Sequence, residues 1–240
     1  MMTLSNFSET LETDSNSDFE CKFCQRKFRR ETTLATHVCE QKHRYQTRNN
    51  LDVQLGLQSY LRFYQYNHSN NKTRTWDDFA TSPYYRAFVK FGTYCYNTQV
   101  FAPLQYLDWL LKKNHKIDHW CKDSVYGEFL IQHLHTEAVE DALSRAVKWS
   151  MTWAEKNNAD AKDCVRYGNS NVICHTITTG KISAWVLYNC ESGRKFFNNI
   201  TAEQLKIIYD YVNPDVWNKK FLKDPDNTKY CQDILTQAGW

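Results

Sequence analysis

The sequence is poor in the two residues that most often interrupt regular secondary structure. Its 240 residues include only 7 glycines and 4 prolines. Few positions can therefore adopt a positive φ without steric cost, which disfavours a loop-rich sandwich or barrel and favours helices. Apolar residues make up 42% and aromatic residues 15% of the chain, enough to bury a core. The composition predicts a mainly α protein.

The sequence also lacks long apolar runs and a secretory pattern. No stretch of about 18 apolar residues is present, so we predict no transmembrane helix and no membrane partner. The N-terminus has no basic region followed by an apolar one, which predicts an intracellular protein. Nine cysteines in such a compartment are expected to be reduced thiols or metal ligands, and an odd number argues against a complete disulfide framework.

Charge is distributed unevenly along the chain. Residues 1–18 contain four acidic residues and no Lys or Arg, which predicts a disordered acidic leader. Residues 19–50 contain eight Lys or Arg and three acidic residues, a local charge of +5. Residues 51–240 contain 22 basic and 20 acidic residues and are nearly neutral. The positive charge is therefore concentrated near the N-terminus.

The basic region contains the pattern Cys21-x2-Cys24-x12-His37-x5-His43. Two thiolates on a tight turn and an imidazole from a following helix are typical ligands of tetrahedral zinc. Phe19, Phe28 and Leu34 are spaced to form a small core over the metal. Because this core is too small to fold unaided, metal binding, worth about 10–16 kcal/mol in comparable peptides, has to supply the stability. We predict one structural Zn²⁺.

Two residues compete to be the fourth ligand. His43 completes the two-Cys, two-His pattern and is the preferred assignment, although the last turn of the helix has to loosen for it to reach the metal. Cys39 is the alternative, since thiolate suits zinc well. On a continuous helix residues 37 and 39 diverge by about 200°, so Cys39 can bind only if the helix ends near His37.

Helical signals dominate from Leu51 onward. Apolar side chains recur there at three- and four-residue spacing, as on one face of an amphipathic helix, at Val53, Leu57, Tyr60, Leu61 and Tyr64. Later helix starts are predicted at Ser82-Pro83, Pro103, Thr136, Thr201-x-x-Gln204 and Asp224-Pro225, and a helix end at Asn213-Pro214.

Residues 172–188 (VICHTITTGKISAWVLY) are ambiguous. They are rich in β-branched and aromatic residues, and Thr179-Gly180 is a possible turn, which is consistent with a hairpin. Ser183 is equally suited to cap a short helix. The predicted fold is a small ββα zinc finger (residues 19–43), a basic linker (44–50) and a helical domain of unassigned function (51–240) with at most one β-hairpin.

The finger segment resembles the two-Cys, two-His zinc fingers along residues 19–43. Its His-x5-His spacing is similar to that of matrin-like and double-stranded-RNA-binding fingers. The whole chain weakly resembles uncharacterised zinc-finger proteins of large tailed bacteriophages in the phrases LDVQLGLQSYLRFY, SPYYRAFVKFG and KISAWVLYNCESG. The resemblance implies a phage product made in the cytoplasm of the bacterial host, and it implies no activity.

A finger of this kind is expected to contact duplex DNA or RNA. Counting back from His37, the base-reading positions are Arg30, Thr33 and Thr36. Six basic residues are expected to meet phosphates: Lys22, Arg26, Lys27, Arg29, Arg44 and Arg48. The alternative function is a protein–protein adaptor, with a structural finger docking on a host or phage polymerase complex. No enzyme active site is recognisable, so we expect no catalytic activity.

Overall fold

The computed structural model describes residues 19–67 and 73–240, so the acidic leader predicted for residues 1–18 lies outside the described residues. The chain starts with two short antiparallel strands, β1 (Phe19–Glu20) and β2 (Lys27–Phe28), which pair Phe19 with Phe28 and Glu20 with Lys27. Two short helices follow, α1 (Glu31–Ala35) and α2 (Glu40–Gln46).

The described part of the chain after residue 50 contains helices and no strand. They are α3 (Leu51–Asn67), α4 (Trp76–Thr81), α5 (Tyr85–Thr98), α6 (Pro103–Lys112), α7 (Asp123–Thr136), α8 (Val139–Asn157), α9 (Ser170–Thr178), α10 (Ala184–Asn189), α11 (Glu191–Asn199), α12 (Ala202–Val212), α13 (Pro214–Lys223) and α14 (Pro225–Gln237). Short 3-10 turns cover Ile117–His119 and Ala161–Asp163. The predicted mainly α fold with a small hairpin is confirmed.

Several helix ends lie where local sequence signals predict them. Pro103 is the first residue of α6. Thr201 and Gln204 form the predicted capping box, with the Gln204 N–H donating to the Thr201 hydroxyl at 3.2 Å and the Thr201 N–H donating to the Gln204 side chain at 3.0 Å. Asn213 ends α12 and caps α13, because its side-chain oxygen accepts the Asp215 N–H. These signals involve residues within one helical turn of each other, so they can be recognised in the sequence.

Two predicted starts are wrong. Helix α5 begins at Tyr85, and Ser82 instead ends α4 while its hydroxyl accepts the Tyr84 N–H. Thr136 is the last residue of α7, where its hydroxyl donates back to the Gln132 carbonyl at 3.1 Å. With that hydroxyl turned into its own helix, α8 starts at Val139 without a side-chain cap.

Residues 172–188 form no hairpin. Residues 172–178 lie in α9 and 184–188 in α10, and the Ser183 hydroxyl between the two helices accepts the Trp185 N–H at the start of α10. Helix α10 is almost entirely buried and α9 buries one face, with Ile173, Ile177 and Trp185 each 1% exposed. This burial explains the apolar, β-branched composition that also suits a strand.

Helices α3 and α5 approach each other very closely. Gly56 and Gly92 lie at the contact, and a Cβ at residue 92 would come within 2.0 Å of the Asp52 carbonyl oxygen. Only glycine fits there, because any side chain forces the two backbones apart. The connected apolar core of the described residues begins at Val53 on α3 and runs through to Trp240. It therefore belongs to the helical domain and not to the finger.

A buried ionic group connects the middle helices to α13. Glu137, between α7 and α8, accepts a hydrogen bond from Arg145, which also donates to the Gly180 carbonyl at 2.9 Å. Burial raises the pKa of Glu137, while the Arg145 charge opposes that rise. The Lys220 ammonium donates to the backbone carbonyls of His135 and Glu137. Elements distant in sequence are thus joined by charge-assisted hydrogen bonds.

None of the described helices combines the length and apolar character needed to cross a bilayer.

The α3–α5 approach gives a test of the fold. We expect Gly92→Ala to lower the free energy of unfolding by about 1–3 kcal/mol or more, because the new Cβ collides with backbone. Gly127→Ala on α7 is the matched control: its Cβ would meet nothing closer than the Tyr211 hydroxyl at 3.4 Å. That variant should be neutral or stabilised by up to about 1 kcal/mol through helix propensity. Urea unfolding of both variants measures the difference, and equal stabilities would contradict the close approach.

Candidate metal centre

The first two candidate ligands lie on the turn between β1 and β2. Cys21 follows β1 directly, and its N–H donates to the Arg26 carbonyl at 3.0 Å while its carbonyl accepts the Gln25 N–H at 2.7 Å. Gln25 has a φ of 57°, which few non-glycine residues adopt. The reversal is therefore tight, and it brings the Cys21 and Cys24 side chains to the same side of the hairpin.

The third ligand follows the end of α1. That helix has only five residues, and Thr36 is its C-cap. The next residue, His37, places its Nε2 atom 3.3 Å from the Cys24 sulfur and its ring 4.8 Å from the ring of Phe28. Phe19, Phe28 and Leu34, the residues predicted to cover the metal, are all half-buried.

Cys39 is the fourth member of the group. Its sulfur lies 3.7 Å from that of Cys21, and both residues are buried, each 6% exposed. Cys39 has an extended backbone (φ −100°, ψ 112°), and its sulfur accepts the Lys42 N–H at 3.3 Å, so that it caps α2. One thiol thus joins the metal cluster and the start of the next helix.

The four ligand atoms fit a tetrahedral metal ion. The ligand atoms of Cys21, Cys24, His37 and Cys39 all lie within 4.8 Å of one another. With zinc–ligand bonds of about 2.3 Å to sulfur and 2.0–2.1 Å to nitrogen, tetrahedral geometry puts two sulfurs about 3.8 Å apart and a sulfur and a nitrogen about 3.6 Å apart. The observed 3.7 Å and 3.3 Å are close to these values. The residues are positioned to hold a metal ion, and the described residues contain no second group of this kind.

The structure selects the alternative fourth ligand, Cys39, over the preferred one. His43 is not a member of the group; it is exposed on α2, one turn after Cys39. The 200° divergence of residues 37 and 39 does not apply, because α1 ends at Ala35 and the chain is extended at Cys39. The group positioned to hold a metal ion therefore consists of three cysteines and one histidine.

The two thiols of the hairpin differ in acidity. Backbone N–H groups of Phe23 and Cys24 lower the pKa of the Cys21 thiol to about 7. At Cys24 the Arg26 backbone favours the thiolate, but burial and the neighbouring Cys21 and Cys39 outweigh it and raise the pKa. Because the thiolate is the form that binds metals, Cys21 is the better prepared of these two thiols.

Not all of the residues predicted to contact nucleic acid are exposed to solvent. The base-reading set Arg30, Thr33 and Thr36 is exposed, although the Thr36 hydroxyl donates to the Thr32 carbonyl. Among the phosphate set, Lys22, Arg26, Lys27 and Arg29 are exposed and Arg48 is half-buried.

Arg44 is the exception, because it is buried against the helical domain. Its guanidinium donates to the Ala80 carbonyl at 2.5 Å, pairs with Glu40, and lies 4.2 Å from the ring centre of Tyr85. Glu40 also accepts a bond from Arg86 on α5 at 3.1 Å, and the Arg44 pairing lowers the pKa of this carboxyl. Arg44 is therefore an attachment point between α2 and helices α4 and α5, and it is not placed to meet phosphates.

An aromatic group beside the metal centre was missed in the sequence. The rings of Phe23, between the first two cysteines, and Tyr45 on α2 lie 5.7 Å apart, and the Arg48 guanidinium lies 4.3 Å over the ring of Tyr45. Tyr45 is 47% exposed. The only sequence signal is the aromatic residue between two closely spaced cysteines, and nothing local connects it with residue 45.

Comparison with known proteins adds no relative: no family model, curated protein or solved structure matches this chain.

The fourth ligand can be tested by paired variants. We expect Cys39→Ser to lose most of the bound metal, because it removes one of four ligands from a site with no spare donor. His43→Ala, the matched control at an exposed position outside the group, should retain close to one equivalent. Metal analysis after dialysis against a weak chelator measures both. If His43→Ala loses the metal and Cys39→Ser retains it, His43 is the fourth ligand.

Metal removal should leave the helical domain folded. Because the apolar core begins at Val53, stripping the ion with a strong chelator should shift the main thermal transition of the full chain by only a few degrees. The finger itself should unfold, since it has only half-buried apolar residues without the ion. Circular dichroism at 222 nm records the main transition. Loss of that transition on chelation would mean that finger and helical domain share one core.

Proposed function

We propose that this chain is a zinc-binding protein that contacts nucleic acid through the exposed cations of its finger. Three thiolates and an imidazole in tetrahedral arrangement suit zinc, which prefers nitrogen and sulfur ligands and needs no redox partner. Four protein ligands leave no open position for a water or substrate, so the ion is structural.

The observation that carries the nucleic-acid contact is the position of the finger's positive charge. Five basic residues lie between positions 22 and 30, on the turn and hairpin that hold the metal, and all five are exposed: Lys22, Arg26, Lys27, Arg29 and Arg30. The acidic residues nearest to them in sequence are Glu20 and Glu31. A concentrated cationic surface on an otherwise near-neutral chain is typical of phosphate binding.

The metal centre and Arg44 reduce this charge without removing it. One divalent ion and three thiolates add a net −1, which lowers the local charge of residues 19–50 from +5 to +4. Arg44 and Glu40 largely neutralise each other at the attachment to α4 and α5. What remains lies on the outer hairpin. The expected binding is salt-sensitive and largely independent of sequence.

The second candidate is a protein-docking finger. It is favoured by Val38, which lies between the ligands His37 and Cys39 and is 94% exposed. An apolar side chain held out by a metal site is a suitable anchor for a partner protein.

Salt dependence of binding tests the primary proposal. With about four phosphates neutralised, the logarithm of the affinity for duplex DNA should fall with the logarithm of salt concentration at a slope of roughly −4. Arg26→Gln combined with Arg29→Gln should make the slope shallower by up to about two units. Lys112→Gln combined with Lys113→Gln removes the same charge from exposed positions on and just after α6 and should leave the slope unchanged.

Fluorescence anisotropy of labelled duplex and single-stranded oligonucleotides provides these affinities. The protein is loaded with one equivalent of zinc, and the titrations are run at several salt concentrations. If the loaded protein binds neither form at low salt, the nucleic-acid function is wrong, and the finger is assigned to protein docking at Val38.

A further inference from the structure

Helix α1 is poorly shaped for reading a duplex. A recognition helix presents residues from before its first turn to its sixth position to bases in the major groove. Here α1 has five residues, about 1.4 turns or 7.5 Å, and the chain then turns into the metal site through His37 and Cys39. Thr36, the last of the predicted base readers, has its hydroxyl directed to the α1 backbone. Helix α1 is therefore too short, and Thr36 wrongly directed, to read bases in a major groove.

Helix α2 carries an exposed aromatic ring. Arg44 and Tyr45 are neighbours on α2 and point about 100° apart, so the burial of Arg44 against Ala80 turns Tyr45 outward. Phe23 supports the Tyr45 ring at 5.7 Å, and Arg48 lies 4.3 Å over it. Nearly half of the Tyr45 residue surface still faces solvent. The Tyr45 ring is thus held by two neighbours and still accessible to a ligand.

Two exposed cations lie close to this group in sequence. Lys22 precedes Phe23 and is exposed, and Lys42, one turn before Tyr45 on α2, is exposed as well. Unpaired bases stack on Tyr and Phe rings and on the planar guanidinium of Arg, while nearby Lys and Arg side chains follow the phosphates. Bases in a duplex are already stacked on each other and cannot reach such a surface.

We propose that the finger binds single-stranded nucleic acid, with a base stacked on the Tyr45–Arg48 pair and adjacent phosphates on Lys22 and Lys42. This rests on the proposed nucleic-acid function and specifies its ligand. The stacking surface is the group Phe23, Tyr45 and Arg48. Stacking uses faces that all bases possess, so the binding has little sequence preference.

The test compares one sequence in three forms. Zinc-loaded protein is titrated at fixed salt with a labelled ten-nucleotide DNA strand, the same strand in RNA, and the DNA duplex. We expect at least one single strand to bind about 10-fold or more tightly than the duplex. The RNA and DNA arms show which sugar is preferred, and either preference supports the proposal.

Substitutions at Tyr45 test whether its ring is responsible for single-strand binding. Tyr45→Leu keeps apolar bulk but cannot stack, and it should weaken single-strand binding about 5- to 100-fold with little effect on the duplex. Tyr45→Phe keeps the ring and should stay within about 2-fold of the original affinity. Tyr96→Leu is the matched control, because Tyr96 on α5 is similarly exposed, at 58%, and lies outside the finger.

Metal content is measured for every variant, so that a collapsed finger is not mistaken for lost stacking. If Tyr45→Leu fails to hold zinc, ultraviolet crosslinking of the unmodified protein to a thiouracil-containing strand replaces it. A crosslink at Phe23 or Tyr45 supports the proposal, and crosslinks confined to other segments overturn it.

Equal affinity for the single strand and the duplex overturns the stacking proposal, and so does unchanged binding by zinc-loaded Tyr45→Leu. If binding is still salt-dependent in either case, the proposed nucleic-acid function stands. Absence of binding to all three forms at low salt overturns both.

Discussion

The position of Cys39 governs the construction of the finger. Its sulfur lies 3.7 Å from that of Cys21 and accepts the Lys42 N–H at the first turn of α2. To bring both His37 and Cys39 to one ion, the chain has to leave the helical path after Ala35, which limits α1 to five residues. Helix α2 then begins where the metal site ends, and Arg44 reaches Ala80 and Tyr85 within its second turn. One side chain thus sets the end of a helix, the start of the next and the direction of the attachment.

The finger and the helical domain differ in the interactions expected to stabilise them. The domain has a connected apolar core, tightened by the approach of α3 to α5 at Gly92. In the finger, Phe19, Phe28 and Leu34 are only half-buried, so we expect its stability to depend on metal coordination. Because coordination replaces a core, the finger can leave most of its side chains exposed without losing its fold. This is a suitable arrangement for a small surface whose charged and aromatic groups have to face outward.

The sequence predicted the features that depend on neighbouring residues and failed where distant ones decide. Pro103 and the Thr201–Gln204 pair are local signals and lie where predicted. The cluster ligands Cys21, Cys24 and His37 were also legible from their spacing. His43, the preferred fourth ligand, lies outside the group, because α1 ends at Ala35 and the chain then brings Cys39 next to Cys21. Arg44 looked like a solvated linker residue because its partner, the Ala80 carbonyl, is 36 residues away.

That separation has a consequence during protein synthesis. At about 5–20 residues per second, a ribosome needs roughly 2–7 s to make the 36 residues between Arg44 and Ala80. For that interval the finger has no helical surface to attach to, and an ion captured by the cysteines would be the group that holds Cys21 and Cys39 together. In a metal-starved cell the helical domain would fold first, and the nascent finger would remain unfolded with its thiols open to oxidation.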